Sequence, residues 1–204
     1  MTKLLIATNN PGKKKEYHQL LQGIDWELVS PREVGIDATV DEVGATMEDN
    51  AHLKATVCAA RAGGLTTLAD DSGLEVESLG GEPGVLSARY GGDTSNDQQR
   101  IDYLLSKIEG IPWEKRAARF KCVIAIAQPS GEVRLCDGDC LGIITFQPKG
   151  IHGFGYDPIF FLPDLGKTMA ELTSAQKNTL SHRAIASVKA RQILECLARD
   201  VRLP

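Results

Sequence analysis

Apolar residues recur along this chain with two different periods, and the changes of period mark its elements. Leu4-Leu5-Ile6-Ala7 is a short continuous apolar run and predicts a buried strand over Lys3–Thr8. Asn9-Asn10-Pro11-Gly12 breaks it. From Lys13 to about Gln22 the spacing of Tyr17, Leu20 and Leu21 predicts a helix with one apolar side. Trp26–Val29 reads as a second strand, ended by Ser30-Pro31. An acidic loop follows over 32–45, with Asp37, Asp41 and Glu42. Thr46 and Asp49 then form a capping box for a helix reaching about Ala62. Ala51, Ala55, Cys58, Ala59 and Ala62 give that helix a small-residue face, and Gly63-Gly64 ends it.

The run Leu65–Ala69 predicts a strand that ends in Asp70-Asp71, where Ser72-Gly73 turns the chain before a brief strand at Leu74-Glu75-Val76. Residues 79–92 hold five glycines and a proline and read as a loop-rich excursion. Ser95, with Gln98 three residues on, predicts a third helix to about Ile108. Phe120–Ala127 and Val133–Ile144 are β-favouring runs separated by Gln128-Pro129-Ser130-Gly131, the pattern of a long hairpin. Asp137-Gly138-Asp139 within the second run suggests a bulge or kink. The stretch 172–180 is polar and contains Lys177. Ser181-His182-Arg183 opens a last helix whose buried stripe is Ala186, Ala190, Ile193, Leu194 and Leu197. No repeat, low-complexity segment or separating linker interrupts the chain, so a single domain over 1–204 is expected.

Composition narrows the classes. With 204 residues, 42% hydrophobic and 25% charged, the chain resembles folded proteins rather than disordered ones. No apolar run approaches the roughly 18 residues of a membrane span, and the apolar start is too short for a signal segment. A net charge of −4 argues against a nucleic-acid binder that relies on a general basic surface, but leaves room for a small anion held by local cations. The five cysteines, Cys58, Cys122, Cys136, Cys140 and Cys196, are odd in number and scattered, which fits free thiols in a reducing cytoplasm.

Three stretches carry chemistry. Adjacent carboxylates at Asp70 and Asp71 repel, and a hard divalent cation relieves that cost, so the pair is a candidate Mg²⁺ site; a capped turn with a solvated acid is the plain alternative. Strand, polar loop and helix start at 8–13 form an arrangement suited to phosphate, with Lys13 at the helix N-terminus. It is not a Walker A loop, and a solvated Lys13-Lys14-Lys15 run is its plain alternative. In Gly150–Leu162, three glycines interleave with His152, Phe154, Tyr156 and Asp157; glycines let a ligand near the backbone and an aromatic offers a face to a base. His182 and Arg183 at a helix N-terminus oppose the helix dipole, which an acceptor-rich ligand would relieve.

Taken together, these pieces closely resemble the inosine/xanthosine triphosphate pyrophosphatase family, the Ham1-like or RdgB-like house-cleaning enzymes. The matching blocks are Thr8-Asn9-Asn10-Pro11-Gly12-Lys13; Glu42-Val43-Gly44 with Glu48-Asp49-Asn50-Ala51 and Lys54-Ala55; Ala69-Asp70-Asp71-Ser72-Gly73-Leu74; Gly84 with Ser87-Ala88-Arg89-Tyr90; Gly153-Phe154-Gly155-Tyr156-Asp157-Pro158-Ile159-Phe160; and Ser181-His182-Arg183-Ala184. The resemblance implies an α/β fold, an elongated mixed β-sheet with flanking helices forming two lobes around a central cleft. It implies Mg²⁺-dependent hydrolysis of deaminated purine nucleoside triphosphates (ITP, dITP, XTP) to the monophosphate and pyrophosphate, by a cytoplasmic homodimer that cleanses the nucleotide pool. Carried over by position, the loop Thr8, Asn9, Asn10, Pro11, Gly12 and Lys13 would hold the triphosphate. Glu42 and Asp71 would bind one or more Mg²⁺ per subunit, with Asp70 beside them. Asp71 would also be the general base, and Ser72 would touch the nucleotide. Phe154 would stack on the base, and Gly155, Tyr156, Asp157, Lys177, His182 and Arg183 would complete its pocket. The rival readings are a pyrophosphatase for modified pyrimidine triphosphates, a non-catalytic nucleotide sensor, and a phosphomonoesterase with a nucleophilic Asp.

Overall fold

The structure is a computed structural model and describes residues 2–92 and 94–200. The expected domain over 1–204 thus includes Met1, Asp93 and 201–204, which lie outside the described residues. Among the described residues, seven strands form one mixed sheet in the order β2-β1-β3-β4-β5-β6-β7. These are β1 (Thr2–Ile6), β2 (Trp26–Val29), β3 (Thr67–Val76), β4 (Ala117–Ala127), β5 (Val133–Ile144), β6 (Phe160–Leu162) and β7 (Lys167–Thr168). The helices are α1 (Pro11–Leu20), α2 (Met47–Arg61), α3 (Asp97–Lys107), α4 (Ser174–Leu180) and α5 (His182–Asp200). β1 pairs in parallel with both β2 and β3, while β5, β6 and β7 pair antiparallel in turn. No described helix is long and apolar enough to cross a membrane.

The chain forms two compact units, each with its own core. Of the described residues, the first comprises 2–71, 122–138 and 183–200; the second comprises 72–92, 94–121 and 139–182. In the first, Leu4, Ile6, Leu68, Ile124 and Ile126 of the strands pack with Tyr17 and Leu21 of the α1 region. Ala186, Ala190, Leu194 and Leu197 of α5 join them at helical spacing. Trp26 Nε1 donates to the carbonyl of Leu194 at 2.9 Å, which ties β2 to that helix. In the second unit Leu74, Val76, Ile101, Leu104, Phe120, Ile144, Phe160 and Met169 share one buried cluster.

Several elements depart from the sequence reading. The acidic pair does not end a strand at a sheet edge. β3 runs without a break from Thr67 to Val76, between β1 and β4. Ser72 and Gly73 do not turn the chain, and Gly73 is outside the left-handed region that would mark a turn glycine. An interior strand satisfies the backbone groups on both sides, and that overrides the weak turn preference of Ser-Gly. Helix α1 starts at Pro11, two residues before Lys13, because proline suits the first helical position and Asn10 caps it. Helix α3 is capped by Asn96 with Gln99, one residue later than Ser95 with Gln98. The polar stretch 172–180 contains α4, opened by a Thr173–Gln176 capping box. Asp137-Gly138-Asp139 lies within continuous strand β5: Cys136, Gly138 and Cys140 are buried and the two acids are exposed, an unbroken period of two.

Candidate active-site residues

In the first unit the polar residues gather around β3. Successive side chains leave a strand on opposite faces, so Asp70 and Asp71 meet different partners. Asp70 is 2% exposed. Its Oδ2 receives Lys13 Nζ at 3.0 Å, and the Nη2 and Nε of Arg183 at 3.1 and 3.4 Å. Arg183 also donates to Glu16 Oε2 at 2.6 Å and lies over the Tyr17 ring. Lys13, Glu16 and Tyr17 are three and four residues apart on α1 and therefore share a face. Burial by itself raises the pKa of Asp70. The charges of Lys13, Arg183 and Lys54 outweigh burial and hold the carboxyl well below the usual range.

Asp71 has the opposite electrostatics. Its Oδ2 accepts from Asn50 Nδ2 at 3.1 Å. Burial first, and then the charge of Glu42, raise its pKa. A carboxyl with a raised pKa takes up a proton more readily than an ordinary one, which suits a general base. Glu42 pairs with Lys54 Nζ at 2.5 Å, and the same ammonium donates to the carbonyl oxygen of Asp70 at 3.0 Å. Burial lowers the pKa of Lys54, but Glu42 and Asp70 more than restore it, so the ammonium stays charged.

The loop before α1 is more occupied than its sequence suggests. Asn10 Oδ1 accepts from the backbone N–H groups of Gly12 and Lys13 at 2.8 and 3.1 Å, and Thr8 Oγ1 accepts from Asn10 N–H. Pro11 has no N–H. The Asn10 cap thus takes the first free N–H groups of the helix, and the Lys13 side chain is the cation that reaches Asp70 from this loop. Asn9 Nδ2 reaches Asp37 and Thr39, whose carbonyls Arg61 also binds.

In the second unit Asp157, 2% exposed, is the centre. Its Oδ2 accepts from the Phe154 N–H at 3.0 Å and forms a short ion pair with Lys177 Nζ. The Lys177 ammonium also lies 4.7 Å from the centre of the Phe154 ring. Gly153 has φ +77°, and a Cβ there would stand 1.9 Å from Asp157 Oδ2, so no other residue fits. Gly155 N–H donates to Asp97 at 2.6 Å, and the Tyr156 hydroxyl to the Ser87 carbonyl at 2.9 Å. Ser72 is half-buried in β3. His182 is buried and stacks on Phe120 at 4.7 Å.

The structure thus brings Phe154, Asp157 and Lys177 together. The Arg183 guanidinium reaches Asp70, Glu16 and the Tyr17 ring, so it helps to hold Asp70 in its charged form. Glu16, Asn50, Lys54 and Asp97 were not assigned roles from the sequence. The Thr46–Asp49 cap fixes the phase of α2, which would have placed Asn50 and Lys54 on one face four residues apart.

A divalent cation has plausible ligands here. Among the described residues no group of three or more His, Cys, Asp or Glu is arranged to hold a metal. Mg²⁺, however, commonly binds through one or two carboxylates plus substrate phosphates and keeps several waters. Glu42 and Asp71 are hard oxygen donors close enough for one charge to raise the pKa of the other, and they fit that pattern. Asp70 fits it less well, since its oxygen is already shared by Lys13 and Arg183.

A mixed sheet bearing this acidic and cationic cluster, with a glycine-rich Phe-Asp-Lys group in its second unit, is the architecture of a known class, and the chain belongs to the Ham1 family, whose model matches residues 4–193. Particular relatives are close. The dITP/XTP pyrophosphatase of Bacillus subtilis strain 168 is 46% identical over 195 residues, 96% of this chain and 98% of that protein. The Ham1 protein of Staphylococcus aureus has a solved structure with TM-score 0.85 and 40% identity, covering 96% of this chain and 100% of that one. The HAM1 protein of Coxiella burnetii gives TM-score 0.86 at 36% identity, covering 95% and 98%.

Proposed function

We propose that this chain is a Mg²⁺-dependent pyrophosphohydrolase of deaminated purine nucleoside triphosphates. It cleaves ITP, dITP and XTP between the α- and β-phosphates to give the nucleoside monophosphate and pyrophosphate. The observation that carries this reading is Asp71, a buried carboxyl held by Asn50 and made more basic by its burial and by Glu42. Three cations, Lys13, Lys54 and Arg183, accompany it in the same unit. Relatives that share nearly half their residues over almost the whole chain are named dITP/XTP pyrophosphatases, which supports the same assignment.

Each residue has a physical task. Lys13 and Lys54 offset the phosphate charge. Asp71 takes the proton of the attacking water. Glu42 and Asp71 would hold Mg²⁺, which would supply charge neutralisation and a lowered pKa for water. Phe154 stacks on the base, beside Lys177 and Asp157. Hypoxanthine and xanthine offer a keto oxygen where adenine offers an amino group, so a donor there accepts the first two and meets a donor in the third. Unpaired buried donors of this kind discriminate by factors up to about 10⁴–10⁵. By the same family reasoning the protein acts as a cytoplasmic homodimer on the nucleotide pool, keeping deaminated purines out of DNA and RNA.

The test is a substrate panel of ITP, dITP, XTP, GTP and ATP, with and without Mg²⁺. Phosphate is read after added inorganic pyrophosphatase. Fast Mg²⁺-dependent turnover of the deaminated purines is expected. Equal turnover of all five sinks the specificity, and tight ITP binding without turnover makes the protein a nucleotide sensor. Light scattering reads the dimer.

A further inference from the structure

We infer that Asn50 is a positioning residue: a single buried amide that fixes both Asp71 and the loop carrying Glu42, and so sets the distance between the two carboxylates. The inference rests on the role proposed above for those acids.

Asn50 is 1% exposed and sits in the first turn of α2. Its two ends do different work. Nδ2 donates to Asp71 Oδ2 at 3.1 Å, and Oδ1 accepts from the backbone N–H of Gly44 at 2.8 Å. Those partners also determine which way the amide faces, because a carboxylate needs a donor and an N–H needs an acceptor. Gly44 lies two residues after Glu42, in a loop without regular structure. The loop is therefore anchored, next to its acidic residue, on the same side chain that holds Asp71.

Gly44 supports this from the other side. Its φ is not positive, so backbone freedom does not explain the glycine. Space does: a Cβ would fall 2.6 Å from Asn50 Oδ1 and 2.6 Å from Asp49 Cβ. The loop approaches α2 so closely that only a hydrogen fits. The Thr46–Asp49 capping box then fixes the helix end on which Asn50 stands, with Thr46 Oγ1 accepting from Asp49 N–H at 3.1 Å. Cap, amide, loop and β3 form one connected path between two like-charged groups. Holding like charges at a fixed separation costs energy, and the amide's two hydrogen bonds offset part of that cost.

Two substitutions disturb this path from opposite sides. Asn50→Leu keeps the branching at Cγ, though with larger end groups, and removes both hydrogen bonds; Gly44→Ala keeps Asn50 and displaces its oxygen. The readouts are kcat and KM for ITP, the melting temperature, and Mn²⁺ affinity by electron paramagnetic resonance with the metal alone. Outer-shell positioning groups typically alter metal affinity or activity by about 10–100-fold. Both variants are expected to lose that much in kcat and about tenfold in Mn²⁺ affinity, with KM within about threefold. A purely structural residue predicts a lower melting temperature with kcat and Mn²⁺ affinity at wild-type values, and that result overturns the inference. If the leucine variant does not fold, Asn50→Asp takes its place. It keeps the shape and the acceptor for Gly44 but sets a carboxylate against Asp71; wild-type kcat in that variant equally overturns the inference. Failure of the functional reading looks different: the unmodified protein itself then shows no pyrophosphate release from any triphosphate.

Discussion

Asp70 and Asp71 are neighbours in the chain and opposites in chemistry. The strand sends one towards Lys13 and Arg183 and the other towards Asn50, so one carboxyl is held ionised and the other is made more basic. Their mutants should differ accordingly. Asp71→Asn keeps the amide–side-chain contact geometry and is expected to fold with a near-normal melting temperature. Its pyrophosphate release should fall by the roughly 10²–10⁴-fold that a lost general base costs; near-normal kcat removes Asp71 from that role. Arg183→Ala acts otherwise. It strips a buried cation from Asp70 and Glu16, and breaking such a pair costs about 3–5 kcal/mol. Thermal unfolding should show that loss, and turnover of ITP and ATP should drop in parallel. A selective loss on ITP would return Arg183 to the base pocket. The sequence made the acidic pair visible, but not its division of labour. That division depends on alternation within a continuous strand, and Ser72-Gly73 reads locally as a turn.

At the scale of elements, legibility followed the strength of the local signal. The capping box of α2 and the paired runs of β4 and β5 were readable because side-chain chemistry and periodicity agree there. Helix α4 was not readable: it spans only seven residues and lacks an apolar stripe, and its Thr173–Gln176 box is its sole marker. Arg116 was equally invisible, since a lone arginine after a short loop predicts nothing. In the structure it is 2% exposed and its guanidinium donates to the carbonyls of Ile108, Ile111, Ile144 and Thr145 at 2.8–3.2 Å. It joins the end of α3 to the end of β5 through these backbone acceptors and lies 4.4 Å from the centre of the Phe146 ring, and burial lowers its pKa. Arg116→Ala should leave several buried carbonyls unsatisfied, at about 1–3 kcal/mol each before relaxation. A net loss of about 3 kcal/mol or more in urea denaturation is expected, with KM for ITP unchanged once the variant is folded. A change below about 1 kcal/mol would show that the carbonyls find water instead.

At the scale of the whole molecule the thiols connect the cores of both units to solution conditions. Cys58, Cys122, Cys136 and Cys140 are buried and Cys196 is exposed. Burial pushes the Cys122 thiol up to about 12 and the Cys140 thiol up to about 11, and raises Cys58 and Cys136 as well. In the unfolded chain each ionises near about 8.5. Below that pH both states carry the proton and the thiols leave stability unchanged with pH. Above it the folded state binds protons that the unfolded state has released, so unfolding free energy falls as pH rises. Cys122 contributes a slope of up to about 1.4 kcal/mol per pH unit, from about 8.5 until the folded thiol itself ionises. Urea midpoints should therefore decline steadily between about pH 8.5 and 10, and Cys122→Ala should flatten the decline. A midpoint independent of pH across that range would mean that the buried thiols are solvated in solution. The same burial sets reactivity, because the thiolate is the nucleophile. At neutral pH a thiol-specific reagent should therefore titrate one group in the native protein, Cys196, and five after denaturation. More than one rapidly reacting native thiol would place the opening of a core, rather than the chemistry of its surface, in control of the cysteines.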